Sequence, residues 1–66
     1  ETEADRRALR AAREILNEDE RQIVILHASA GMKHREIAAS LQMPLATVLS
    51  KYRRAMKKLE EYLGRE

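Results

Sequence analysis

The 66-residue sequence predicts an all-α fold: a small four-helix domain containing a helix-turn-helix. Three observations lead there. Apolar residues recur at three- and four-residue spacing through four successive segments, which is the helical period. No segment alternates with period two, so strands are not expected. The two glycines and the single proline, Gly31, Gly64 and Pro44, each fall where the helical pattern breaks.

The first helix is expected over about residues 3–16, where Ala8, Leu9, Ala12, Ile15 and Leu16 form one apolar stripe opposite arginines and acids. Asn17 then offers an N-cap, with Glu20 three residues on in capping-box spacing. Glu18, Asp19 and Glu20 place negative charge where it complements the dipole of a second helix, about 18–30. Its Ile23-Val24-Ile25-Leu26 block is apolar all round, as suits a central helix, and Gly31 supplies a left-handed C′ position. A third helix, about 34–41, turns Ile37, Ala38 and Leu41 inward. Gln42-Met43-Pro44 interrupts it, because a residue before proline avoids the helical region and proline suits a helix start. The fourth helix follows over about 45–63. Val48, Tyr52, Ala55, Met56, Leu59 and Leu63 fall on one arc; Ser50, Arg53, Arg54 and Lys57 fall on the opposite arc, with Lys51 and Lys58 at its margin.

Charge narrows the function. Lys and Arg number 13 against 11 Asp and Glu, but the excess is concentrated. Residues 33–58 hold Lys33, Arg35, Lys51, Arg53, Arg54, Lys57 and Lys58 against the single acid Glu36, a local net charge of +6. Such a run is ordinarily a solvated helix face; joined to helix-turn-helix spacing, it assigns itself to an anionic partner. One short and one long helix meet at a three-residue turn, and the small Ala38 lets them cross closely. The second helix of such a unit enters the major groove of DNA, where Arg, Lys and Ser meet base edges and phosphates.

Other chemistries find little support. A chain of this size makes one domain, residues 1–66, and leaves no room for an enclosed catalytic cavity. No nucleophile–base pairing, glycine-rich phosphate loop or carboxylate dyad is discernible, so no catalytic residue and no enzyme activity are expected. His27 and His34 lack further ligands for a metal, and no cofactor is implied. His27 reads as a partly buried packing residue and His34 as a surface donor near DNA. Tyr52 reads as core with its hydroxyl at the edge, and Leu49 as either an extension of the seam or a contact to a thymine methyl group. The absence of cysteine fits a reducing, cytoplasmic setting. No apolar run approaches the ~20 residues of a membrane span. A first residue of Glu suggests a fragment of a longer chain.

An ordered set of residues also carries a family likeness: Leu16, Arg21, the Ile23–Leu26 block, Gly31, Glu36-Ile37-Ala38, Leu41, Met43-Pro44, Thr47-Val48, Ser50-Lys51, Arg54-Ala55 and Leu59. Over about residues 16–63 the sequence resembles region four, the C-terminal domain, of bacterial RNA polymerase sigma factors, nearest the extracytoplasmic-function type. The resemblance implies binding to the −35 element of promoter DNA in transcription initiation, docking on the β-subunit flap of the polymerase core, and masking by an anti-sigma factor. It maps base and phosphate contacts onto Thr47, Ser50, Lys51 and Arg54, with support from His34 and Arg35. With Lys33, Arg53 and Lys57 added from charge and facing, these make the candidate DNA-binding set. Leu49 stands where the family has Lys or Arg, Gln42 where it has the turn glycine, and Lys33 where it has a Ser or Thr cap. Those departures keep open a second reading, a sigma-like protein-interaction module that does not read DNA. A third reading is the DNA-binding effector domain of a response regulator.

Overall fold

The computed structural model describes residues 2–64, which form four helices in the order α1 (Glu3–Ile15), α2 (Glu18–Ala28), α3 (His34–Leu41) and α4 (Leu45–Gly64). The all-helical expectation holds, and α3 has the expected bounds. α2 ends two residues early. The Ala28–Gly31 stretch turns off the helix axis, with Ser29 and Ala30 both donating to the Ile25 carbonyl and Met32 donating to that of Leu26. Gly31, with φ of 71°, is the left-handed residue there; it lies one position beyond C′ because the last helical turn is already closed by those bonds.

At the other turn a non-glycine does the same work. Gln42 adopts φ 56° and ψ 47°, its N–H reaching the carbonyls of Ala38 and Ala39, while Met43 N–H donates to Ala38 at 2.9 Å. This is a Schellman-type helix end built without glycine. Pro44 then stands just before α4, and its carbonyl accepts from Thr47 and Val48 at 3.0 and 3.1 Å. At the start of α3 the Glu36 carboxylate accepts from the Lys33 backbone N–H at 2.7 Å. The lysine side chain has no acceptor atom, so only this reciprocal half of a capping box forms.

α2 and α4 each pack against all three other helices, so the central position is shared between them; among the described residues α1 and α3 do not touch. The core has two lobes. Ala11, Ala12, Leu16, Val24, Ala55 and Leu59 bury where α1 crosses α2 and α4. Ile23, Ile37, Ala38 and Val48 bury inside the helix-turn-helix. Ile23, Ile37 and Val48 are fully buried, each worth about 1.5–3 kcal/mol of hydrophobic stabilisation. Tyr52, half-buried, packs on both lobes. α4, 20 residues long, contributes to both lobes and joins them.

Candidate nucleic-acid interface

The two arcs of α4 separate as its periodicity predicts. Val48, Ala55 and Leu59 are buried, whereas Ser50, Arg53, Arg54 and Lys57 are exposed. The seam that anchors the helix therefore turns its cationic side outward. Near its N-terminus, Thr47, Ser50, Lys51 and Arg54 line, with Ala46, one open hollow of about 280 Å³. Those four residues sit at i, i+3, i+4 and i+7, a spacing that places them on one face. Two hydroxyls, an ammonium and a guanidinium converge there, groups that donate to phosphates and to base edges in a major groove. Lys33 and Arg35 are exposed at the start of α3.

One candidate lies in different surroundings from those expected. His34 is half-buried: its ring stacks on His27 at 4.4 Å between centroids with 13° between planes, and Tyr52 meets both rings edge-on at 5.1 and 4.7 Å. His27 Nδ1 lies 2.9 Å from the Met32 carbonyl, which can only accept, so that nitrogen carries the proton. Buried as it is, His34 Nδ1 has no partner among the described residues. The cluster packs the loop after α2 against α4, and this correction removes His34 from the open face. His27 is a packing residue as expected. Among the described residues no group of three metal-ligating side chains occurs.

The basic run is also partly compensated, contrary to expectation. Lys51 pairs with Asp19 at 3.3 Å, and Lys58 with Glu20 at 2.8 Å. Both acids come from the first turn of α2, whose dipole already favours them there. Glu20 is 1% exposed and has several tasks: it accepts from the Asn17 N–H at 3.2 Å, its own N–H donates to Asn17 Oδ1 at 2.9 Å, and it holds Lys58. Burial pushes its carboxyl pKa up, but the hydrogen bonds from Lys58 and Asn17 and the charges of Lys58 and Arg54 outweigh this, leaving it below its ordinary 4.5. Beside it, the Arg21 guanidinium donates to the Leu16 carbonyl at 3.1 Å and ties down the end of α1.

Sequence reasoning read the three acids as capping residues alone. Their second task depends on residues far along the chain, and no local spacing announces it. Also absent from the sequence reading is an apolar groove of about 530 Å³ between α1, α2 and α4, lined by Leu9, Val24, Met56, Leu59 and Leu63 among others. It combines the edges of three stripes, each of which alone reads only as core.

A buried apolar crossing, a tight turn and an outward cationic helix define a helix-turn-helix DNA-binding domain. The family model for sigma-70 region 4 matches residues 6–59, and the chain belongs to that family. The match reaches back into α1, further than the sequence likeness over residues 16–63, so the first helix is part of the family's architecture. Region 4 is a non-enzymatic DNA-binding domain of transcription initiation, acting with promoter DNA and RNA polymerase. No curated protein and no solved structure matches the chain significantly. Among the described residues no helix is long and apolar enough to cross a membrane.

Proposed function

We propose that residues 1–66 act as one domain that reads the −35 promoter element, within a cytoplasmic sigma factor of the extracytoplasmic-function type. The observation that carries this reading is the hollow formed by Thr47, Ser50, Lys51 and Arg54 on the outward face of α4. In this reading Arg54 and Ser50 meet base edges. Lys51, Arg53 and Lys57 neutralise phosphates, and Lys33 and Arg35 hold the backbone from the start of α3, with His34 supporting the loop that positions them. The apolar groove between α1, α2 and α4 supports docking on the polymerase β-subunit flap; an anti-sigma factor would act by covering these same faces.

The test is selection of bound duplexes from a randomised pool by the 66-residue chain. One short sequence is expected to be enriched. Arg54→Ala should relax the preference at one base, at a cost of about 1–3 kcal/mol there, while the fold is kept. A pool that emerges unselected would sink the sequence-reading assignment and favour the protein-interaction module.

A further inference from the structure

The cations on the outward side of α4 differ in one respect that matters for binding. Arg53, Arg54 and Lys57 make no direct ion pair among the described residues, although the Arg54 charge acts on Glu20 from a distance; Lys51, by contrast, faces Asp19 at 3.3 Å. This pair differs from its neighbour, Lys58 with Glu20. Glu20 is shut away from water and serves the α2 cap; the Asp19 side chain is 47% exposed and that of Lys51 26%. Lys51 also lines the hollow with Thr47, Ser50 and Arg54, so Asp19 holds its carboxylate at the margin of the surface offered to DNA.

We propose that Asp19 is a specificity-determining residue that works against phosphate for Lys51. The inference rests on the DNA-contact role given to Lys51 above. In the free domain the Asp19 carboxylate occupies the Lys51 ammonium. A DNA phosphate reaching Lys51 has to displace or share that partner, and it comes within the ~8 Å over which like charges remain unscreened at physiological salt. Backbone contact through Lys51 is therefore weakened on every sequence alike, whereas Ser50 and Arg54 keep their donors for base edges. Asp19 lowers sequence-independent affinity and leaves discrimination to the unpaired groups.

The experiment measures anisotropy of a fluorescein-labelled random-sequence duplex, titrated with the 66-residue chain over a salt series. The variants are Asp19→Asn, Lys51→Ala, the double variant, and Glu18→Gln as a control. Glu18 lies in the same turn of α2 and is exposed, so its variant makes the same change in net charge away from Lys51. Asp19→Asn is expected to tighten binding about two- to five-fold at low salt, the range of an exposed ion pair. It should also steepen the log–log salt slope by about 0.9, one further phosphate neutralised. The gain should vanish in the Lys51→Ala background and be smaller in Glu18→Gln; unchanged helical circular dichroism confirms that the fold is kept. Unchanged or weaker binding of Asp19→Asn would overturn the proposal, as would an equal gain without Lys51. A wild-type chain that binds no duplex at any salt would instead remove the DNA-contact reading, and this inference with it.

Discussion

At Glu20, a carboxylate 1% exposed stays ionised because Asn17 and Lys58 replace the water it lost. Its other oxygen is buried without a partner among the described residues, so the site leaves little reserve. A folded-state pKa below 4.5 means that the unfolded chain takes up this proton first on acidification. The stabilisation is therefore complete above pH 4.5 and is lost as pH falls through the lower folded value. Glu20→Gln keeps the shape and one acceptor for the cap but gives up the charge-assisted bond from Lys58. It should cost about 1–2 kcal/mol at neutral pH and flatten the acid limb of stability. Urea unfolding at several pH values reads both effects; a Glu20→Gln limb as steep as that of the wild type would show that other carboxylates carry it.

Among the helices and their junctions, the α3–α4 turn is the place where local preference and structure disagree. Gln42 holds φ 56°, a region that costs a side chain with Cβ roughly 1–2 kcal/mol. The strain persists because Met43 and Gln42 close the end of α3, and the buried Ala38 and Val48 on either side fix where the chain must turn. Gln42→Gly should relieve the strain and loosen the unfolded chain, for a net gain of about 0.5–1 kcal/mol. Thermal unfolding should show a midpoint raised by a few degrees; a lowered midpoint would mean that the glutamine side chain contributes more than its backbone costs. Element bounds were largely legible because their causes are local. Asn17 with Glu20 starts α2, the residues up to Pro44 end α3, and both signals lie within four positions of the boundary they set. The end of α2 was less legible. Gly31 marks the turn, but the bonds that close the helix earlier carry no residue signature.

For the molecule as a whole, Tyr52 is the join between the two lobes of the core, touching both and receiving the His27 and His34 rings against its own. A domain of this size has a small margin of stability, on the order of 0.05–0.15 kcal/mol per residue. Removing the ring should therefore be felt throughout. Tyr52→Ala is expected to cost about 2–3 kcal/mol and lower the melting midpoint by roughly 10–20 °C, with helicity and tertiary signals lost together. Tyr52→Phe, which keeps the ring, should lose much less. Two separate transitions in the alanine variant would show instead that the lobes fold independently. Tyr52 was placed in the seam by its spacing, yet the histidine stack around it was not. His27 and His34 meet across a loop, and nothing in their separation along the chain distinguishes a stack from two exposed rings.

The four helices and the face each turns inward follow from local chemistry, because caps, turn residues and a 3.6-residue period act over a few positions. Membership in the sigma region 4 family rests likewise on sequence, through the match over residues 6–59. Which cations of α4 lack a direct ion pair among the described residues depends instead on how the helices pack. Lys51 and Lys58 are taken by Asp19 and Glu20, the latter pair 38 residues apart in sequence. Charge complementarity acts through space, and the packing of α2 against α4 is what brings those carboxylates within reach.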